Sequence, residues 1–147
     1  EIAFPSVASK IFTPSTISFG DDIVQIQVDN PSNWVSLTNL SLMDNLPSGM
    51  IIAPTPDASS SCGGVITATS GANNFNISGV SIPAGSSCTF TFDVITTTYG
   101  VFENSIAPEN VSNDQNIPIS GESTGTLTVR IGSVISNRRI TYRVKKN

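Results

Sequence analysis

The chain has 147 residues and a mass of 15.4 kDa, which is enough for one hydrophobic core and too little for two ordinary domains joined by a linker. Only 12% of its residues are charged, and Thr, Ser, Asn, Ile and Val recur throughout, which favours strands and polar turns over long helices. The sequence contains no histidine, which excludes catalysis and metal binding through histidine. We therefore expect one all-β domain.

The start of the chain and its two cysteines bear on where the protein resides. The sequence opens at Glu1 without a methionine or an apolar leader, so we expect that a leader has been removed. No stretch reaches the roughly 18 consecutive apolar residues of a membrane span. Cys62 and Cys88 lie in polar loops with no nearby metal ligand or nucleophile, which favours a disulfide over two buried free thiols. A disulfide indicates an oxidising, extracellular compartment.

Charge is unevenly distributed along the chain. All eleven acidic side chains precede residue 130, where Lys10 is the only basic one, and the other basic residues are Arg130, Arg138, Arg139, Arg143, Lys145 and Lys146. Such a cluster could bind phosphates. However, Ile140, Tyr142 and Val144 alternate with polar residues, which indicates a strand rather than a solvated basic arm. We predict that this strand docks on the acidic body of its own or a neighbouring molecule and that nucleic acid is not a partner.

Short strands separated by turn residues fill the first half of the chain. Residues 7–13 are predicted to form a strand closed by Pro14, and the alternation over residues 24–28 predicts a strand that ends at Asn30 and Pro31. Further elements, bounded by Gly, Pro and Asn, are predicted near residues 37–43, 50–52, 65–69, 75–78 and 80–82.

Alternation returns over residues 88–96 and is followed by a strand at 99–106. Turn signals recur about every ten residues, which is typical of a two-sheet sandwich and not of βαβ units. Residues 107–124 are rich in Pro, Asn, Ser and acidic residues and are predicted to form a loop. The segment 125–147 then predicts a basic strand, or a hairpin that turns at Ser136 and Asn137.

Four segments carry a family resemblance: residues 10–20 (KIFTPSTISFG), 26–31 (IQVDNP), 42–50 (LMDNLPSGM) and 61–94, which runs from SCGG through IPAGSSCT to DV. Residues 10–106 resemble the conserved-repeat domain of bacterial surface proteins, a family of unknown function. The resemblance implies an immunoglobulin-like two-sheet sandwich with extended strand-like N- and C-terminal segments, and a scaffold rather than a chemistry. Residues 1–9 would be an N-terminal extension and a possible donor strand. Tandem copies are usual in the family, whereas here one unit is followed by a basic tail.

One trio of residues could form a crosslink. Lys10 lies in the first strand, Asp44 on a middle corner and Asn104 in a late strand. In sandwich adhesins a lysine amine can attack an asparagine amide while a buried carboxyl group shuttles protons, and burial assists by lowering the lysine pKa. The alternative is that Lys10 reaches solvent or pairs with an acid. We carry Lys10, Asp44 and Asn104 forward as a candidate isopeptide site.

Other polar groups give weaker patterns. Asp21, Asp22 and Asp29 could supply oxygen ligands to calcium, but their irregular spacing favours a solvated acidic surface, and no metal is predicted. N-glycosylation sequons begin at Asn39, Asn76 and Asn110, and they matter only in a host with that machinery. The sequence has no Gly-rich phosphate loop and no nucleophile beside a base, so neither a cofactor nor an enzymatic activity is expected.

The leading functional hypothesis is an extracellular subunit of a pilus-like cell-surface filament. A terminal strand would complete the sheet of the next subunit by donor-strand complementation, and such head-to-tail contacts propagate as an open fibre. The candidate contact residues are Ile2, Phe4, Leu127, Val129, Ile131, Ile140, Tyr142 and Val144. The alternatives are a monomeric stalk or adhesin module and a carbohydrate-binding sandwich that uses Trp34, Tyr99 or Tyr142. The expected partners are further copies of the chain or, for the alternatives, host or surface ligands.

Overall fold

The structure is a computed structural model that describes residues 5–18, 20–30 and 35–131, apart from the side chain of Asp21. Its strands are β1 Val7–Thr13, β2 Thr16–Ile17, β3 Asp21–Asp29, β4 Leu37–Asn45, β5 Met50–Ile52, β6 Ser59–Ser60, β7 Val65–Thr67, β8 Asn74–Ile82, β9 Ser87–Thr96, β10 Gly100–Ile106, β11 Val111–Ser112 and β12 Ser123–Val129. The 3-10 helix Pro108–Asn110 is the only helical element within these described ranges. The predicted all-β class is confirmed.

The strands form three hydrogen-bonded sheets. One sheet has the order β1-β3-β9-β5, with β6 also paired to β9, and it is antiparallel throughout. A second has the order β11-β4-β8-β7, and a third has the order β10-β12-β2. Strand β10 lies against β4 and strand β12 lies against β1, so the small third sheet sits between the edges of the two larger ones.

The core is apolar and lies between the sheets. Alternation places Val24, Ile26 and Val28 of β3 inward, because successive side chains of a strand point to opposite faces. The Phe75 ring of β8 stacks on the Phe92 ring of β9 with centroids 4.2 Å apart, which joins two different sheets across the core. This face-to-face packing confirms the predicted sandwich.

Strand β8 of the second sheet differs from the sequence prediction. Residues 75–78 and 80–82 were predicted as separate strands, but β8 runs unbroken through Gly79, whose φ is +68°. The register between β4 and β8 shifts twice between Leu37 and Leu42. A bulge absorbs extra residues without ending the pairing, and glycine adopts the positive φ at no steric cost. The glycine therefore marks an irregularity within one strand.

The segment predicted as a loop at 107–124 is held against the sandwich. It contains the 3-10 helix and β11, and Asn113 Nδ2 donates to the Ile117 carbonyl at 2.8 Å while its Oδ1 accepts from the Ile117 N–H at 3.1 Å. Both Ile117 and Ile119 are buried in the main core. The segment 125–147 likewise begins within β12, which is part of the sandwich.

The first and last described segments run side by side in the same direction. Ser6 forms a parallel bridge with Ile119, and Ser120 N–H donates to the Ser6 carbonyl at 2.7 Å. At the other end β2 pairs in parallel with β12, and Arg130 N–H donates to the Ile17 carbonyl at 2.8 Å. The described chain therefore enters the sandwich at one end and leaves at the opposite end.

Candidate functional site

Three polar residues occupy inward-facing positions of strands that are otherwise apolar on that face. Lys10 is two residues from buried Phe12 on β1, and Asp44 is two residues from buried Leu42 on β4. Asn104 lies between buried Phe102 and Ile106 on β10. All three polar side chains are themselves buried. The period of two therefore places them in the core.

The structure brings these three side chains together on one carboxylate oxygen. Lys10 Nζ donates a hydrogen bond to Asp44 Oδ2 within an ion pair, and both side chains are fully buried. Asn104 Nδ2 donates to the same Asp44 Oδ2 at 3.3 Å. The other carboxylate oxygen, Oδ1, is buried and has no hydrogen-bond partner among the described residues. A carboxyl group with one unused oxygen thus contacts both an amine and an amide.

Burial changes the acid-base behaviour of the lysine. Desolvation lowers the pKa of Lys10, because removal from water penalises the charged ammonium. The negative charge of Asp44 and the hydrogen bond to it act in the opposite direction without cancelling the shift. The Phe12 ring, 5.9 Å from Lys10 Nζ at its centroid, supplies an aromatic face on one side. The neutral, nucleophilic form of the amine is therefore easier to reach than in water.

Gly125 makes room for the lysine, a role that the sequence analysis missed. It lies directly opposite Asn104 in the β10–β12 pairing. A Cβ atom at this position would be 3.3 Å from Lys10 Cγ and 3.2 Å from the Lys10 carbonyl oxygen. The lysine stem thus crosses β12 where that strand has no side chain. The available signal was a glycine at an inward-facing position, in phase with Leu127 and Val129.

Two further polar residues, Asn30 and Asp22, are buried and belong to no predicted site. The prediction of a solvated acidic surface is therefore wrong at Asp22. Asn30 Nδ2 donates to the carbonyl oxygens of Val35, Ile82 and Pro83 at 2.8 to 3.3 Å, which joins the end of β3 to the segment before β4 and to the end of β8. Asp22, only 1% exposed, accepts a hydrogen bond from Ile23 N–H at 3.0 Å. Burial raises the pKa of Asp22 to about 6, the Ile23 hydrogen bond opposes the shift, and the charge of Asp93 adds to it.

The predicted disulfide is confirmed. Cys62 and Cys88 are bonded with their Cα atoms 5.7 Å apart, which links the loop after β6 to β9. The bond joins two parts of the chain that are already adjacent, because Ser61 N–H donates to the Thr89 carbonyl at 2.9 Å. It therefore fixes the β6 edge of the first sheet.

The candidate subunit-contact residues fall into three groups. Leu127 and Val129 are buried in the core of their own sandwich, so they are not available as surface contacts while β12 stays in place. Ile131 is exposed. Ile2, Phe4, Ile140, Tyr142 and Val144 lie outside the described residues, as does Trp34. Tyr99 is 61% exposed at the bend before β10.

Neither a metal cluster nor a membrane helix occurs in the described ranges. No group of three His, Cys, Asp or Glu side chains among residues 5–18, 20–30 and 35–131 could hold a metal ion. Within the same ranges no helix has the length and apolar character needed to cross a bilayer.

A family model described as "Domain of unknown function (DUF7933)" matches residues 5–129, nearly the whole described part of the chain. The chain belongs to this family. The match extends beyond residues 10–106, on which the resemblance to a family of unknown function was based, and it includes β12. No curated protein matches the sequence.

Solved structures with the same fold are distant in sequence. A cohesin module from the family 33 glycoside hydrolase of Clostridium perfringens superposes with a TM-score of 0.62 at 4% identity, covering 86% of this chain and 98% of the module. The bacterial hydrophobin BslA has a TM-score of 0.55 at 10% identity, with 88% and 97% covered. The major pilin SpaD of Corynebacterium diphtheriae has a TM-score of 0.57 at 13% identity, but this chain spans only about a third of it, with 80% and 33% covered. These similarities show the shared sandwich fold of the DUF7933 domain.

Proposed function

We propose that this domain is an extracellular structural module of the cell surface, without enzymatic activity, that carries tension along its length in a stalk or fibre. The observation that carries the proposal is the parallel arrangement of the first and last described segments. The span from Ser6 to Ile17 corresponds to roughly 35 Å of extended strand. Tension applied at the two ends of the sandwich would pull along this length.

The contacts between these two segments oppose such a pull. Hydrogen bonds lie at both ends, from Ser6 N–H to the Pro118 carbonyl at 2.9 Å and from Thr128 N–H to the Ser15 carbonyl at 2.9 Å. Between them Gly125 packs closely against Lys10 and Phe12. Sliding one segment past the other would break these contacts together, whereas an antiparallel pair pulled at one end opens one bond at a time.

Single-molecule pulling in two directions tests this proposal. With handles at residues 5 and 131, we expect rupture at a clearly higher force than with handles at residues 65 and 78, which are paired on β7 and β8 and would unzip. The same protein serves as its own control, because only the attachment points differ. Equal rupture forces in the two directions would show that the parallel arrangement has no mechanical role.

In the fibre form of the proposal, copies of the chain join by strand addition and the basic segment after residue 131 docks on the acidic body of a neighbour. The charge distribution supports this form, because all eleven acidic residues precede Arg130. Electron microscopy and light scattering of the full chain should show fibres, and a chain ending at Ile131 should stay monomeric and folded, since it keeps β12. A full chain that is monomeric at micromolar concentration would exclude the fibre form, and the stalk module would remain as the proposed function.

A further inference from the structure

The Lys10, Asp44 and Asn104 cluster has features that a simple structural ion pair does not need. A buried charge pair is stable only when the remaining polar atoms are also satisfied, yet Asp44 Oδ1 has no partner among the described residues. An apolar trio would fill the same space without desolvating charges. In addition, Asn104 Nδ2 donates a hydrogen bond to Asp44 Oδ2, the same oxygen that accepts from Lys10 Nζ. An amine, an amide and a carboxyl group in contact are the components of an amide exchange.

We infer that Lys10 and Asn104 become joined by an intramolecular isopeptide bond, with Asp44 as the catalytic carboxyl group. The inference concerns the chemistry of the core and does not depend on whether the chain polymerises or carries tension. It requires no cofactor and no second molecule, because every reacting group belongs to this chain.

The reaction balances with ammonia as the leaving group. Asp44 takes one proton from the Lys10 ammonium, and the neutral Nζ attacks the Asn104 side-chain carbonyl carbon. The new Nζ–Cγ bond forms, the Cγ–Nδ2 bond breaks, and Asp44 relays the proton released by Nζ to the departing nitrogen. One ammonia leaves, the two side chains share an amide, and Asp44 retains the proton it first received. No oxidant or reductant takes part.

The surroundings assist each step. The lowered pKa of Lys10 makes the neutral amine accessible. Lys10 Nζ and Asn104 Nδ2 both donate to Asp44 Oδ2, which holds the amine and the amide next to each other. Such positioning raises the effective concentration of the reacting groups. Burial of all three side chains excludes the water that would otherwise hydrolyse the amide. Gly125 leaves the path from Lys10 to Asn104 open.

Intact mass after denaturation and disulfide reduction tests the inference directly. We expect the full chain to be lighter than its encoded mass by one ammonia. Trypsin gives a second readout, because Lys10 is the only Lys or Arg before Arg130. The denatured crosslinked chain should yield an uncut fragment from Glu1 to Arg130, since a lysine whose amine is in an amide is not cleaved.

Variants identify the groups involved. Asn104→Leu and Asp44→Asn should have their encoded masses, and trypsin should cut both after Lys10 to give a fragment that begins at Ile11. Lys10→Met should also have its encoded mass. The matched control is Asn45→Ala, an exposed neighbour of Asp44, which should keep the ammonia loss and the uncut fragment.

Three results would overturn the inference. The first is an encoded mass for the unaltered chain, and this result decides the matter even if some variants fail to fold. The second is loss of water with a peptide that links Lys10 to Asp44, which would make Asp44 the acceptor. The third is an ammonia loss that persists in Lys10→Met, which would show that the lysine amine is not the attacking group. A mass lower by one ammonia, with linked peptides containing Lys10 and Asn104, supports it.

Discussion

Replacing Asp22 by asparagine should change how stability depends on pH. The unfolded carboxyl titrates near 3.8, whereas burial raises its folded pKa to about 6. The folded state therefore holds this proton more tightly than the unfolded state. The resulting stabilisation is fully present below about pH 4 and is lost as the pH rises through about 6.

The size of the effect follows from the two pKa values. A difference of about two units corresponds to at most about 3 kcal/mol between acidic and neutral pH. Asp22→Asn removes the titrating group while it retains an oxygen that can accept from Ile23 N–H. Relative to the unaltered protein, the variant should therefore gain up to about 3 kcal/mol of unfolding free energy on going from about pH 4 to about pH 8.

Urea unfolding at several pH values measures this difference. The comparison between variant and unaltered chain cancels the contributions of all other titrating groups, as long as they are the same in both proteins. Glu122→Gln, at an exposed position, controls for the loss of one negative charge and should show almost no such change. If the stability difference caused by Asp22→Asn were the same at all pH values, the argument from burial would be refuted.

Three further variants test other contacts. The double variant Cys62→Ala/Cys88→Ala should lose about 3 kcal/mol in denaturant unfolding, because the bond closes a loop across a sequence separation of 26; an unchanged midpoint would contradict this. Asn30→Ala should lose about 2 kcal/mol, since buried Asn30 Nδ2 donates to three carbonyl groups, and a loss below about 0.5 kcal/mol would show that water replaces them. Gly125→Val should reduce the crosslinked fraction measured by intact mass, because the valine side chain would occupy the path of Lys10. The control Thr126→Val, on the exposed face of the same strand, should leave that fraction unchanged. Full crosslinking of Gly125→Val would exclude the proposed path.

Local patterns predicted most of the strands because the alternation of apolar and polar residues depends only on neighbouring positions. Strand β1 has the predicted bounds, and the alternation over residues 24–28 lies within β3. The continuity of β8 through Gly79 could not be read in this way, because the bulge is set by the register against β4. The parallel bridge between Ser6 and Ile119 could not be predicted from local pattern either, because it joins residues far apart in the sequence.

The sequence predicted which residues form the candidate site, but it could not show that their side chains contact one another. Lys10 is the only basic residue before Arg130, and the side-chain chemistry of Asp44 and Asn104 makes them suitable partners. Asn104 was predicted in a strand, whereas Asp44 was predicted on a corner and instead lies within β4. Their contact depends on β10 lying against β4 and on β12 lying against β1, which no local pattern specifies. The packing of β12 on β1 also makes Gly125 important. Asn30 depends on a different long-range contact, between the end of β3 and the end of β8, so its role was not predictable from local pattern either.

The site and the parallel terminal segments have a combined consequence for how the domain would bear tension. A pull that enters along β1 reaches Lys10 after only a few residues, and the proposed amide would pass it directly to Asn104 on β10. Residues 11–103, about 300 Å of chain when fully extended, would then lie inside a closed loop and could not lengthen. The disulfide lies within this loop, so it would fix a sheet edge rather than carry the load. Only the few residues before Lys10 and the segment after Asn104, which includes β12, would remain free to extend. Strand β12 is aligned in parallel with β2 at the exit. The crosslink would therefore protect the part of the core that the terminal hydrogen bonds alone do not secure.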